Sequence, residues 1–297
     1  TLRRYQQFGT QYIICQKRVL LGDDMGLGKT MQVLAAMCHL AAQGKKHFFV
    51  VAPNSVLINW EREVKKHTKL NPIVVHGFDR DDELEQWQRE GGVAITTYTT
   101  LGRLVDKITA IDLLAVDEAH SVKNPETQRT QSVVLLCGQT EHVVFMSGTA
   151  LENRLSELWS ILEFCTPGYL GSQGDFRKRF ATPIERHKDR RQADKLKNLV
   201  RPFVLRRLKT DPTVISDLPP LVETRQNVPL TAEQAQLYDS VVNDMLHRVD
   251  NADGIKRRGL VLSALVKLKQ ICNHPAHFLR QGSDDDNAPP LPTLKPG

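Results

Sequence analysis

The chain has no apolar run near the roughly 20 residues that a membrane-spanning helix needs, and no signal-peptide pattern. No Cys-x-x-Cys pair occurs, and the five cysteines (15, 38, 137, 165 and 272) are scattered. That excludes a disulfide scaffold or zinc ribbon and fits free thiols in a reducing, intracellular setting. Cys272, His274 and His277 lie close together, but with no partner cluster they make a poor tetrahedral zinc site. There is no internal repeat. The chain opens on Thr1 rather than Met, as an excised segment would. What remains is ordinary globular material: 297 residues, 40% hydrophobic and 25% charged, enough for a large core and more than one domain.

The excess of one sign of charge is small overall but not locally. The formal net charge is +6, yet residues 174–209 hold thirteen Lys/Arg against four Asp/Glu. The rest of the chain is therefore slightly acidic. Such a block fits a polyanionic partner or a solvated helical face, and charge alone does not choose.

Up to about residue 165, short apolar runs alternate with helical patterns. Candidate strands are Arg18–Leu21, Phe48–Ala52, Ile73–Val75, Val93–Thr96, Leu113–Asp117 and His142–Met146. Continuous apolar strands suit a sheet covered on both faces. Helical segments between them, such as Val56–His67 with Leu57, Trp60 and Val64 on one face, imply a parallel sheet flanked by helices. After the breaker-rich Thr166–Gly171 turn the basic block reads as charged helices without strands, and 202–220 as a linker. Thr231 opens an amphipathic helix with Gln234 placed for a capping box and Leu237, Val241, Met245 and Val249 on one stripe. Leu260–Cys272 is a second helix, and the polar, Pro-rich 281–297 segment reads as disordered.

Chemistry concentrates in Gly22-Asp23-Asp24-Met25-Gly26-Leu27-Gly28-Lys29-Thr30, which stands between an apolar strand and an Ala-rich helix. Glycines let the backbone approach phosphate and turn its N–H groups inward. The new helix offers the positive end of its dipole, Lys29 a cation for the outer phosphates and Thr30 a hydroxyl for magnesium. The strict pattern wants Gly at position 23, where this chain has Asp. Asp117-Glu118-Ala119-His120 follows another apolar run. Asp117 suits magnesium, held largely through water, and Glu118 suits activation of the attacking water. Ser147-Gly148-Thr149 follows a third run and can couple the nucleotide site to a bound strand, although Ser-Gly-Thr is also an ordinary turn.

Taken in order, these segments resemble a superfamily-2 helicase core and, more narrowly, the Swi/Snf-type ATPases of the Snf-two branch. Leu2-Arg3-Arg4-Tyr5-Gln6 with Gly9 resembles the family's opening, with Arg4 in place of the usual Pro. Asp24–Thr30 with Gln32 resembles its first motif, and Val51-Ala52-Pro53 through Asn59-Trp60 and Glu63 its motif Ia. Thr96–Leu101 is similar to the next nucleic-acid segment, and Asp117–His120 continues into Lys123-Asn124-Pro125 as in many members. Ser147–Thr149 with Leu151, Asn153, Glu157, Leu158 and Trp159 resembles motif III. Pro202–Arg207, Leu218-Pro219-Pro220 and Ile271-Cys272-Asn273-His274-Pro275 resemble branch-specific signatures.

The resemblance implies a RecA-like P-loop ATP-binding lobe over 1–165, a basic helical protrusion over 166–210, a linker and the start of a second protrusion over 211–280, and a tail over 281–297. It implies ATP and Mg2+ as cofactors, with Gln6, Asp24, Met25, Gly26, Leu27, Gly28, Lys29 and Thr30 at the nucleotide. It also implies double-stranded DNA as the partner, tracked along its backbone, with Ser55, Asn59, Thr97, Thr99, Arg177 and Lys178 as candidate contacts. The compartment would be cytoplasm or nucleoid in a bacterium and nucleus in a eukaryote. Nothing in the sequence resembles the family's second RecA-like lobe, whose arginines complete the ATP site. Arginine fingers contribute about a thousandfold or more in phosphoryl transfer. The chain alone is therefore expected to bind ATP and hydrolyse it feebly. The alternatives are an RNA-stimulated helicase of the Asp-Glu-Ala-His type and a non-hydrolysing, nucleotide-gated binding module for DNA or protein.

Overall fold

The computed structural model describes residues 2–148, 155–215, 224, 226–250 and 254–279. The described chain falls into two compact units, 1–218 and 219–297. In the first, seven strands form one sheet: β1 Arg18–Leu21, β2 His47–Ala52, β3 Pro72–Val74, β4 Gly92–Thr97, β5 Leu113–Val116, β6 His142–Met146 and β7 Val204–Leu205. Their order is β3-β4-β2-β5-β6-β1-β7, and every pairing is parallel. The first six strands lie where the apolar runs predict them, and β1 and β6 match to the residue.

The strands are apolar over most of their length because both faces are covered. Val19, Leu21, Phe48 and Val50 pack on one side with α1 (Arg4–Gln16), α2 (Lys29–Ala42) and α3 (Leu57–His67). Leu20, Phe49, Val51 and Leu114 pack on the other with α4 (Arg80–Glu90), α5 (Tyr98–Leu104), α6 (Gln128–Gln139) and α7 (Leu155–Cys165). Adjacent residues therefore serve opposite cores, as the two-residue strand period requires.

The basic block is helical as expected: α8 (Gln173–Phe176), a π-helical turn at Arg177–Ala181, α9 (Thr182–His187) and α10 (Arg190–Val200). Its apolar residues Phe176, Phe180, Leu196 and Val200 belong to the same core as α7. The reading of 202–220 as a linker without a strand is corrected, because Val204-Leu205 adds β7 beside β1, with Leu20 N–H bonded to Phe203 O at 2.7 Å and Gly22 N–H to Leu205 O at 2.8 Å. A two-residue strand is too short to show a period in sequence. It forms because the β1 edge offers unpaired backbone groups.

In the second unit, α11 (Ala232–Asp250) and α12 (Gly254–Asn273) pack through Leu237, Val241, Met245, Ala264, Leu268 and Ile271, followed by α13 (Pro275–Leu279). The capping box is present: Thr231 Oγ1 accepts from Gln234 N at 3.2 Å, and Gln234 Oε1 accepts from Thr231 N at 3.0 Å. The motif residues Thr149, Leu151 and Asn153, the Leu218-Pro219-Pro220 segment and the 281–297 tail lie outside the described residues.

Candidate nucleotide-binding site

In a parallel sheet, loops at the carboxyl ends of neighbouring strands share one edge, where ligands bind. Here β1, β6 and β5 are neighbours. They deliver Gly22–Thr30, Ser147-Gly148 and Asp117-Glu118 to that edge. The loop after β1 turns through Gly26 at φ 85° and Gly28 at φ 73°, a region costly for any residue with a Cβ. Gly28 then leads into α2, so its first residues Lys29 and Thr30 sit at a 14-residue helix's N-terminus.

Lys29 Nζ donates to the main-chain oxygen of Asp23 at 2.7 Å. Burial holds its ammonium below the usual lysine value, against the pull of Asp23, Glu118, Asp117 and Asp24. The lysine and the acidic pair thus lie near one another at the same edge of the sheet. Gly148 closes over the same place: a Cβ there would stand 3.5 Å from Lys29 Nζ and 2.7 Å from Met25 Cγ. Ser147 is buried, with its N–H on Leu21 O at 3.0 Å.

Asp117 is held at both oxygens. Trp60 Nε1 donates to Oδ2 at 2.9 Å, and Glu118 N donates to Oδ1 at 2.9 Å. Tyr98 Oη donates to the Asp117 carbonyl, and burial pushes the Tyr98 phenol well above its usual pKa, with help from Asp117 and Glu118. Two of about four lone-pair sites remain on the carboxylate for water or metal. Glu118 adopts φ 50°, ψ 57°, a left-handed conformation seldom taken by a residue with a side chain. Its buried Oε2 has no hydrogen-bond partner and lies 3.3 Å from His120 Nδ1, likewise without one. The mobile lysine, the hydroxyl of Thr30, the half-free Asp117 carboxylate and the orphaned Glu118 oxygen form a donor set that fits a magnesium nucleotide.

Gln6 also reaches this place, its Nε2 on Leu27 O at 3.4 Å and its Oε1 accepting from Arg3 N at 3.0 Å. Asp24 is engaged from behind, accepting Lys209 N at 3.0 Å, whereas the Met25 side chain is largely exposed. Sequence reasoning missed Asp23, Gln32 and Arg207 as a group. Arg207 Nε donates to Asp23 Oδ1 at 3.0 Å and its NH2 to Gln32 Oε1 at 2.8 Å. The Asp at a glycine position was a visible signal, but its partner lies 184 residues away in sequence.

The candidate DNA contacts divide. Thr97 and Thr99 line a cleft of about 500 Å3 with Asn54, His76, Arg80, Arg103, Ser121 and Arg129. The Thr97 side chain is buried, and its hydroxyl caps α5, accepting from Thr100 N at 3.0 Å. Ser55, in the 3-10 turn just before α3, and Asn59, in the first turn of α3, are exposed. Arg177 and Lys178 are exposed but do not line this cleft; Arg177 lines a separate one with Gln173, Glu185 and Arg186.

The SNF2-related domain model matches residues 5–277. The "Putative ATP-dependent helicase/translocase YwqA" of Bacillus subtilis (strain 168) is 37% identical over 292 residues, covering 95% of this chain and 32% of the relative. Helicase ssl-1 of Caenorhabditis elegans is 32% identical, covering 93% of this chain and 12% of the relative. Among solved structures, the Sulfolobus solfataricus SWI2/SNF2 ATPase core in complex with dsDNA is similar at TM-score 0.67 and 38% identity, covering 93% of this chain and 59% of that one. The chain therefore spans about a third or less of the length of these two helicases. With its P-loop, its acidic pair and its sheet order in place, the chain belongs to the SNF2-related domain family.

Proposed function

We propose that this chain is the ATP-binding front lobe of an ATP-dependent double-stranded DNA translocase. The observation that carries this reading is the placement of Lys29 and the Asp117–Glu118 pair at the same end of nearby sheet strands, close enough for the carboxylates to act on the ammonium. Residues 1–165 form the RecA-like lobe, 166–210 its basic protrusion and 211–280 the approach to a second lobe.

Gln6 and the 24–30 loop hold the nucleotide. Lys29 leaves the Asp23 carbonyl for the outer phosphates, where its charge offsets that developing on the transferred group. Thr30 and Asp117 would hold Mg2+, largely through water, and the ion would supply further charge neutralisation at the phosphates. Glu118 accepts the proton of the water that attacks the terminal phosphorus, and the bond to ADP breaks in line. Ser147 and Gly148 bridge this site to the DNA side, where Ser55, Asn59 and Thr99 touch backbone phosphates, with Arg177 and Lys178 on the protrusion. Hydroxyl, amide and basic contacts of this kind fix register without reading sequence.

Among the described residues no helix is long and apolar enough to cross a membrane. An intracellular DNA compartment, nucleoid or nucleus, fits this motor. The similar Sulfolobus core was solved in complex with dsDNA, which favours duplex DNA over RNA here. The test is ATPase stimulation of the full-length protein. Duplex DNA should stimulate turnover, with affinity falling by up to about 0.9 log units per log unit of salt for each phosphate neutralised. Stimulation by RNA alone, or tight nucleotide binding with no turnover, would establish one of the alternatives instead.

A further inference from the structure

Asp23 stands where the strict phosphate-loop pattern has glycine, and its side chain is fully buried. Four hydrogen bonds converge on its carboxylate. Arg207 N and Nε each reach Oδ1 at 3.0 Å, Arg207 NH2 reaches Oδ2 at 2.5 Å, and Gln32 Nε2 reaches Oδ2 at 3.1 Å. A carboxylate offers about four lone-pair sites, so this one is saturated. Lys29 lies beside it but bonds the main-chain oxygen of Asp23, not the carboxylate. Arg207 also donates from NH2 to Gln32 Oε1 at 2.8 Å and from NH1 to the Tyr5 carbonyl, and the guanidinium lies 5.2 Å from the Tyr5 ring centroid.

Attraction between a lysine and an open buried carboxylate is strong, because the surroundings screen it poorly. A lysine captured that way is withheld from phosphate. A planar guanidinium fork fills both oxygens at once, which a single ammonium does not. We propose that Arg207 is a positioning residue that saturates the Asp23 carboxylate and so keeps Lys29 free for the nucleotide's phosphates. The inference rests on the nucleotide reading of Lys29.

It also gives segment 204–209 a role. That segment is docked by β7, by Asp24 N on Arg207 O at 3.0 Å and by Lys209 N on Asp24 Oδ2 at 3.0 Å. Undocking it would open the carboxylate to Lys29. Nucleotide affinity and the docking of this segment are therefore linked, each favouring the other.

The experiment is a double-mutant cycle in the full-length polypeptide, reading the dissociation constant of a non-hydrolysable ATP analogue with Mg2+ by calorimetry, with melting curves to confirm folding. Arg207→Gln should weaken binding at least about tenfold, equivalent to about 1.4 kcal/mol. Adding Asp23→Asn to it should bring affinity back to within about threefold of the parent, which a merely structural role would not do. Lys29→Ala is the control. Unchanged affinity in Arg207→Gln, with binding lost in Lys29→Ala, overturns the proposal and leaves the nucleotide reading standing. Unchanged affinity in Lys29→Ala overturns both. Should Arg207→Gln not fold, the double variant decides. Folded and binding, it supports the proposal; unfolded, or folded without binding, it overturns it.

Discussion

The indole Nε1 of Trp60 donates to Oδ2 of Asp117 at 2.9 Å. The indole belongs to α3 and the carboxylate to the loop after β5, so the hydrogen bond ties a helix on one face of the sheet to the acidic pair at its edge. Trp60 is buried, and its nitrogen finds in Asp117 the partner that a buried indole requires. The same contact fixes one oxygen of the carboxylate assigned to magnesium.

Trp60→Phe keeps the apolar packing and removes that donor. Loss of a hydrogen bond that orients a metal-binding carboxylate typically costs about 10–100-fold in metal affinity or activity, so kcat should fall about tenfold or more. The magnesium concentration giving half-maximal ATPase should rise. Steady-state kinetics of the full-length protein across a magnesium titration checks both.

Glu118→Gln leaves the size of the side chain unchanged and removes its capacity to take a proton. Nucleotide binding should persist while turnover falls about a hundredfold or more, the range expected of a general base. Equilibrium binding beside single-turnover hydrolysis separates the two, and near-normal turnover would remove Glu118 from its role.

Gly9 lies in α1 against the Arg207 network. A Cβ there would stand 1.8 Å from Gln32 Oε1 and 3.0 Å from Arg207 NH2. Gly9→Ala should therefore destabilise the fold by about 1–3 kcal/mol through overpacking, despite alanine's better helix propensity. Chemical denaturation gives the number. A stabilised variant would mean that the network relaxes at no cost.

Burial lowers the Lys29 pKa below the ordinary lysine value of 10.5. Between that lowered value and 10.5 the unfolded chain binds more protons than the folded one, so this residue's contribution to stability rises with pH across the window. Phosphate placed beside Lys29 favours its charged form. ATP binding in that alkaline window should take up a proton, up to about one per site. Calorimetry in buffers of different ionisation heat measures the uptake, and Lys29→Ala should abolish it.

Six of the seven strands were legible because a fully covered parallel strand writes itself as a short apolar run between helical patterns, as Val19-Leu20-Leu21 and Val143-Val144-Phe145 do. Lys29, Asp117 and Glu118 stand out as candidates because phosphate and magnesium chemistry favours a lysine at the head of the helix that follows a Gly-rich loop and carboxylates directly after a strand. The sequence thereby determined the sheet, the loop and the candidate chemistry. It did not determine which strands are neighbours, since β1 and β5 are brought together only by β6, the last of the six to be made. Nor did it show Trp60 on Asp117 or Arg207 on Asp23, where the partners lie 57 and 184 residues apart. Periodicity and local motifs report each residue's own burial and backbone. Which buried donor satisfies which buried acceptor is settled by packing of the whole sheet, and only the tertiary structure decides it.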